Sequence, residues 1–202
     1  MICAIILASG HSSRFNNQTP KQFHQLNGRI MLDYPIQTFS ECSEIDKIII
    51  VVPKEKLTTI QAKYPHHKVV AGGSSRRESS YNGLKACSPE TEKVLIHDAA
   101  RALVDNATII RCLNELNNAK AVSTVMPTKD TVVEANINII VNMPDRNLMY
   151  LEQTPQGFLY QTILEAHTKI KAETTDDIRL VKEMGIECKV VEGSEQNFKI
   201  TT

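Results

Sequence analysis

Net charge is the first thing this sequence lacks. Over 202 residues, 23 Lys and Arg balance 23 Asp and Glu. General nucleic-acid binding is thereby disfavoured, because such proteins carry a net basic face. Local cations remain at Lys21, Arg76, Arg77, Arg101 and Arg146. A long apolar run is also missing. The longest, Met1 to Ala8, is eight residues, whereas a membrane-spanning helix needs about 20. The N-terminus has no basic region, and its first Lys or Arg is Arg14. No secretory leader or membrane partner is expected, and the chain reads as cytoplasmic. No C-x-x-C pair occurs. The five cysteines, Cys3, Cys42, Cys87, Cys112 and Cys188, are scattered and odd in number. They read as reduced core thiols rather than a zinc site or disulfide framework. Repeats and low-complexity tracts are absent too.

What is present is ordinary globular composition, 42% hydrophobic and 23% charged. That excludes a disordered, collagenous or coiled-coil chain. The length suggests one domain spanning 1–202, which buries roughly 70% of its unfolded surface without staples. Short β-branched runs alternate with helical stretches. Ile2–Ala8 and Ile48–Val52 are continuous rather than alternating, as in strands covered on both faces. Helices are expected at 31–42, 54–63, 75–87, 106–118, 158–171 and 177–184. Further strands are expected at 68–71, 94–96, 121–126, 188–191 and 198–201. Strand–helix repetition implies an α/β fold with a mostly parallel sheet flanked by helices. Residues 128–153 break that rhythm and read as a projecting β-hairpin arm. In open parallel sheets ligands bind at the carboxyl ends of the strands. That rule selects the loops after Ala8, at Gly72-Gly73, after Ile96 and after Met126.

The first of these loops reads Leu7-Ala8-Ser9-Gly10-His11-Ser12-Ser13-Arg14, followed by Pro20-Lys21-Gln22-Phe23. Small residues after a buried strand let backbone N–H groups approach a phosphate, and Arg14 and Lys21 can bring two cations to a polyphosphate. It is neither a Walker loop nor a G-x-G-x-x-G loop. Gly72-Gly73-Ser74-Ser75-Arg76-Arg77-Glu78-Ser79 can hold an anion or a base edge. It also reads as a capped helix start, with Ser75 and Glu78 forming a capping box. His97-Asp98-Ala99-Ala100-Arg101 follows a strand directly. A carboxylate there suits a nucleotide-bound Mg²⁺, and Arg101 can hold phosphate or pair with Asp98. His97 orients the loop. Each remaining polar cluster, around Thr131, Arg146, Thr154, Thr175 and Lys199, reads alone as a turn or solvated face. Thr175 is also a possible cap for the helix after it.

In order, these elements resemble the cytidylyltransferases that act on 2-C-methyl-D-erythritol 4-phosphate in the non-mevalonate isoprenoid pathway. The ordered set runs from Ala4 to Thr201. It comprises the small-residue loop with Arg14, Pro20-Lys21-Gln22-Phe23, Gly72-Gly73, Asp98-Ala99-Ala100-Arg101, Lys129-Asp130-Thr131, Asp145-Arg146, Gln153-Thr154-Pro155-Gln156 and Asn197-Phe198-Lys199-Ile200-Thr201. The resemblance implies a Rossmann-like fold of nucleotidyltransferase type. It implies a CTP site from Leu7, Ala8, Ser9, Gly10, Ser12, Gly73, Ser74 and Ser79, with Asp98 holding Mg²⁺ and Arg101 nearby. Arg14 and Lys21 match a transition-state-stabilising pair, with Arg146 and Lys199 as further cations. Thr131, Arg146, Thr154, Thr175 and Lys199 match positions that hold a small polyol phosphate. The family's arm exchanges between subunits, which implies a homodimer. Departures are Ser12 in place of a glycine, Ala102 in place of a proline, Ser74 in place of an acidic residue, and an end at Thr202 where relatives continue into a terminal helix.

Such a site needs no Ser/His/Asp triad. A phosphate monoester is already an anionic nucleophile, so the work is bringing anions together and stabilising added charge. Ribitol 5-phosphate cytidylyltransferases share most of these motifs and are the alternative acceptor class. A non-catalytic nucleotide-binding module would lack Arg14 or Lys21. A Rossmann oxidoreductase would need the missing glycines and a ribose-binding acid.

Overall fold

The computed structural model describes residues 1–10 and 19–201. Its first half runs β1 (Ile2–Leu7), a small hairpin of β2 (Gln25–Leu26) and β3 (Arg29–Ile30), α1 (Asp33–Glu41), β4 (Lys47–Val52), α2 (Leu57–Lys63), β5 (Lys68–Ala71), α3 (Arg76–Lys85) and β6 (Lys93–Asp98). Then follow α4 (Asn106–Glu115), β7 (Ala121–Pro127), β8 (Glu134–Asn136), β9 (Ile139–Asn142), β10 (Tyr150–Leu159), α5 (Tyr160–Lys169), α6 (Asp177–Glu183) and β11 (Lys189–Glu192).

Seven strands form one sheet in the order β11-β7-β10-β6-β1-β4-β5. β1 pairs parallel with β4 and β6, β4 with β5, and β7 with β11. The period-two alternation of strand side chains divides β1 between two apolar clusters. Ala4 and Ile6 meet Leu32, Ile36, Phe39, Ile60 and Ile109 on the face covered by α1, α2 and α4. Cys3, Ile5 and Leu7 meet Leu84, Ile163 and Leu180 on the face covered by α3, α5 and α6. Two covered faces explain why the Ile2–Ala8 run has no polar interruption.

β10 departs from the expected pattern. It inserts antiparallel between β6 and β7, whereas the sequence reading placed an arm end and a helix start there. Its polar stretch is buried instead. Thr154 and Gln156 are fully shielded, and the pairing with β7 shifts register between Gln153 and Gln156, where Pro155 costs no ladder hydrogen bond. The helix expected from 158 therefore begins at Tyr160. The arm is real but shorter than 128–153, because Tyr150 to Gln153 pair with β7 in the main sheet. Its hairpin, β8–β9, turns at Ile137 and Asn138, both at positive φ (43° and 67°). Paired left-handed residues are what a two-residue hairpin turn requires.

Three smaller expectations also change. Phe198 to Thr201 forms no strand of the sheet; it docks through the Ile200 N–H on the Ala100 carbonyl at 2.9 Å. Ser75 caps α3 by accepting from the Glu78 N–H at 3.1 Å. The box is not closed, because the Glu78 carboxylate accepts from the N–H and hydroxyl of Ser74 instead. The residue at the start of α6 is Asp176, not Thr175, whose hydroxyl donates to the Asp176 carboxylate. All five thiols are free, three of them buried.

Candidate active site

The strand ends of β1, β5 and β6 open onto a cleft of about 380 Å³. Its lining includes ten of the residues singled out from sequence: Leu7, Ala8, Ser9, Gly10, Lys21, Gly73, Ser74, Ser79, Asp98 and Lys199. Ser12 and Arg14 fall outside the described residues. Three of the four loops chosen by the strand-end rule converge here. The fourth, after Met126, contributes nothing to the lining, because β10 stands between β6 and β7 and moves that loop away.

The loop after β1 is fixed from both sides. The Ala8 N–H donates to the Val51 carbonyl at 2.7 Å. The Gln22 amide donates to the carbonyls of Ala8 (2.7 Å) and Gly10 (2.9 Å). Across the cleft the Ser9 hydroxyl donates to the Ser79 hydroxyl at 2.7 Å. Ser79 in turn donates to the Ser75 carbonyl and accepts from the Gly73 N–H. Gly72 has no room for a side chain: a Cβ there would lie 2.3 Å from the Ser9 Cβ. The serine-rich loops are thus pressed together.

Asp98, at the end of β6, is held by three neighbours. Arg76 Nε reaches one carboxylate oxygen at 3.2 Å, and Lys199 Nζ the other at 2.6 Å. Its backbone N–H donates to the Thr154 hydroxyl at 3.1 Å. Burial alone would raise the Asp98 carboxyl, but the two cations outweigh it and hold it well below the usual carboxylate range. His97 beside it is pushed down to about 4 by burial, so its ring is neutral at pH 7. Its Nε2 faces the Arg101 carbonyl at 3.1 Å, which only accepts, so Nε2 carries the proton. Nδ1 therefore accepts the Thr154 hydroxyl proton, and the Thr154 oxygen remains free to accept from Asp98. His97 orients the loop, as its position suggested.

Behind Asp98 lies a network missed in the sequence. Arg76 Nη1 also meets a carboxylate oxygen of buried Asp177 at 2.7 Å. The other Asp177 oxygen takes the Ser80 hydroxyl (2.7 Å) and His167 Nε2 (2.9 Å). Gln156 completes the support by accepting from the Asp177 and Ile178 N–H groups. Burial opposes ionisation of Asp177, yet Arg76 and His167 hold its carboxyl below the ordinary value.

The sequence agrees with this geometry. The family model described as 2-C-methyl-D-erythritol 4-phosphate cytidylyltransferase matches residues 2–202. The chain belongs to this family. A relative of that name from Clostridium botulinum (strain Langeland) is 39% identical over 211 residues, covering 98% of this chain and 91% of that one. One from Caldanaerobacter subterraneus is 36% identical, covering 100% and 93%. Among solved structures, 4-diphosphocytidyl-2C-methyl-D-erythritol synthase from Anaerococcus prevotii superposes with a TM-score of 0.89 at 31% identity, covering 100% of this chain and 90% of that one. The cytidylyltransferase from Thermus thermophilus superposes at 0.83 and 27% identity, covering 98% and 92%. The fold is the mostly parallel, helix-flanked sheet of these cytidylyltransferases, and the chain is a nucleotidyltransferase.

Within this cytidylyltransferase, five residues chosen from sequence do not line the cleft. Arg101 turns its guanidinium to the carbonyls of Asn197 (2.8 Å) and Glu152 (2.9 Å). Thr154 is buried behind Asp98. Thr175 is exposed at the start of α6. Thr131 and Arg146 lie in the exposed arm region, with Arg146 donating to the Lys129 carbonyl at 3.2 Å. Conversely, Gln22, Ser75, Arg76, Ala100 and Thr201 line it without having been chosen. Gln22 stood inside a quoted motif. The signal for Arg76 was its place at the first turn of the helix that follows Gly72-Gly73.

Proposed function

We propose that this cleft transfers the cytidylyl group of CTP to 2-C-methyl-D-erythritol 4-phosphate and releases pyrophosphate. The observation that carries the reading is the convergence of the serine-lined loops, Lys21, Asp98 and Lys199 on one cleft. The loops Leu7–Gly10 and Gly73–Ser79, with Ser12, receive the nucleotide through backbone N–H groups and hydroxyls. A phosphate oxygen of the acceptor attacks the α-phosphorus in line. The new P–O bond forms as the bond to the β-phosphate oxygen breaks, and pyrophosphate carries the charge away. Lys21 and Lys199, with Arg14, face the anionic oxygens and stabilise the charge gathered at the α-phosphorus. Lys21 is held at the cleft by the Ile200 carbonyl.

The donor set fits Mg²⁺ bound with the nucleotide. Asp98 offers hard oxygen ligands, and each carboxylate oxygen keeps acceptor capacity beyond its one cation. Among the described residues no group of three or more His, Cys, Asp and Glu gathers to hold a metal alone, which suits an ion that takes one carboxylate plus substrate phosphates. When bound, Mg²⁺ would supply charge neutralisation on the triphosphate. Thr154 acts as a positioning residue, through its bond to the Asp98 N–H.

The chain is read as one domain over 1–202. The arm would form a homodimer and bring Thr131 and Arg146 to the partner's acceptor pocket, with Thr175 completing it. Exposed Ile139, Ile140, Val141 and Met143 support that role, since a contiguous apolar patch marks a contact surface. Among the described residues no helix is long and apolar enough to cross a membrane, and a cytoplasmic place suits charged, water-soluble substrates. The test is pyrophosphate release with CTP and Mg²⁺, comparing methylerythritol 4-phosphate with ribitol 5-phosphate. Release with the first alone is expected. Release with ribitol 5-phosphate alone would overturn the acceptor assignment.

A further inference from the structure

Lys199 reaches the cleft from a segment that its own neighbours do not bury. Phe198 beside it is 55% exposed, and Glu195 and Gln196 before it are exposed. The exception is Asn197, which is wholly buried. Its Nδ2 donates to Gln153 Oε1 at 3.1 Å and to the Thr154 carbonyl at 2.7 Å. A carbonyl only accepts, and Gln153 spends its own amide nitrogen on the Ser194 carbonyl at 2.9 Å. Asn197 must therefore turn its nitrogen to both partners. Its backbone carbonyl accepts from Arg101 Nη1 at 2.8 Å.

These bonds close a ring through Asp98. Thr154 bonds Asn197 with its carbonyl and the Asp98 N–H with its hydroxyl. Arg101 bonds Asn197 with its guanidinium, and its own N–H donates to the Asp98 carbonyl at 2.9 Å. Two residues beyond Asn197, Lys199 Nζ returns to the Asp98 carboxylate at 2.6 Å. The residue after Lys199 is caught as well, by the Ile200 N–H on the Ala100 carbonyl. The backbone at Lys199 is thus registered against the Asp98 turn from both sides, and its ammonium swings on a fixed base.

We propose that Asn197 is a positioning residue for cytidylyl transfer, setting the reach of Lys199 through two residues of backbone. The inference rests on the transferase reading above. Asn197 is not among the residues that line the cleft, so it acts through Lys199 rather than on substrate. Without its two donors, the Gln153 and Thr154 oxygens lose a partner, and the chain before Lys199 loses its buried tie to β10. A misplacement on the order of 1 Å can cost about 10²-fold in rate. The serine-lined loops that receive the nucleotide are not part of this ring, so the loss falls on the chemical step.

The test compares Asn197→Ala with wild type in the full chain, with and without Lys199→Met, after circular dichroism has verified the fold. With CTP and the polyol phosphate saturating, Asn197→Ala should lower kcat about 10–10²-fold and leave the KM for CTP within about threefold. In the Lys199→Met background it should cost no more than about twofold further, because the group it positions is already gone. Limited acetylation without substrate gives a reading independent of turnover. Lys199 should label several-fold faster in Asn197→Ala, with Lys68, on the Ala86 carbonyl, as the unchanged reference. If Asn197→Ala does not fold, Asn197→Ser, which keeps one donor, carries the same comparison. Equal losses in the two backgrounds, a raised KM with normal kcat, or unchanged Lys199 labelling would each overturn the proposal while an active wild type upholds the transferase reading. A wild type that releases no pyrophosphate would overturn that reading and this role with it.

Discussion

Arg76 bridges two carboxylates, so replacing it with methionine should cost stability in a way that depends on pH. The guanidinium side chain is 20% exposed, against 1% for the Asp177 side chain it contacts. Removing one partner from a buried ion pair costs about 3–5 kcal/mol, because the other charge stays buried. Asp177 keeps the Ser80 and His167 bonds, and Asp98 keeps Lys199, which places Arg76→Met at the low end, about 3 kcal/mol. For a domain of this size that corresponds to a Tm lowered by roughly 6–12 °C. Both carboxyls sit below their unfolded value in the folded protein. Their contribution is therefore present above about pH 4 and lost as pH falls through the folded values. Urea unfolding followed by circular dichroism should show a gap between wild type and variant at pH 7 that narrows below about pH 4. Adding Asp177→Asn removes the stranded charge, so the double variant should lose less than the sum of the two singles. A gap under about 1 kcal/mol at pH 7, an equal gap in acid, or strict additivity would each refute the bridging argument.

The other perturbations act on separate parts. Lys21→Ala should lower turnover on the order of 10²–10³-fold, the usual effect of deleting one donor to the transition state, in a protein that still unfolds like wild type; pyrophosphate release measures it, and near-normal turnover would remove Lys21 from the mechanism. Gly72→Ala puts a Cβ 2.3 Å from Ser9 and 2.9 Å from the Ser79 hydroxyl. Such overpacking costs about 1–3 kcal/mol, and it should raise the KM for CTP more than it lowers kcat. Ile139→Lys with Ile140→Lys charges an exposed strand of the arm. If the arm forms the proposed homodimer, sedimentation should show a dimer for the wild type and a monomer for this variant with its Tm little changed; a variant that sediments like wild type would remove the arm from any interface.

β1, β4 and β6 were legible because each is covered on both faces and so carries an unbroken apolar run, Ile2–Ala8, Ile48–Val52 and Val94–Ile96. β10 was not legible for the opposite reason. It is buried from Gln153 to Phe158, but its middle is Glu152-Gln153-Thr154-Pro155-Gln156-Gly157, which in a sequence reads as a turn. Those polar groups are satisfied by partners far along the chain: Gln153 by Ser194 and Asn197, Gln156 by the start of α6, Thr154 by His97 and Asp98. Hydrophobic periodicity does not register a strand whose burial is satisfied by hydrogen bonds. The same blindness hid Asp177, whose meaning depends on Arg76, 101 positions away. The cleft itself was legible because small residues after a strand leave a local trace. The acceptor roles proposed for Thr131 and Arg146 rest on resemblance to the family alone, since nothing local to either residue marks them.

Asp98 therefore has one fixed partner and one exchangeable partner, and that difference is testable at Lys199. Arg76 is anchored from behind by Asp177. Lys199 comes from the segment after β11, its side chain is 38% exposed, and it contacts Asp98 alone among the salt-bridge partners of the described residues. An ion pair so open to solvent is screened and contributes no more than about 1 kcal/mol. A triphosphate entering the cleft offers Lys199 several anionic oxygens in place of one carboxylate, so the ammonium can transfer to substrate while Arg76 keeps Asp98 in place. Lys199→Met should then unfold within about 1 kcal/mol of wild type yet lose turnover on the order of 10²–10³-fold. Arg76→Met shows the reverse emphasis, with stability falling first. Equal losses of stability in the two variants would mean that Lys199 is a structural tie, and the charge stabilising the transition state would have to come from Lys21 and Arg14.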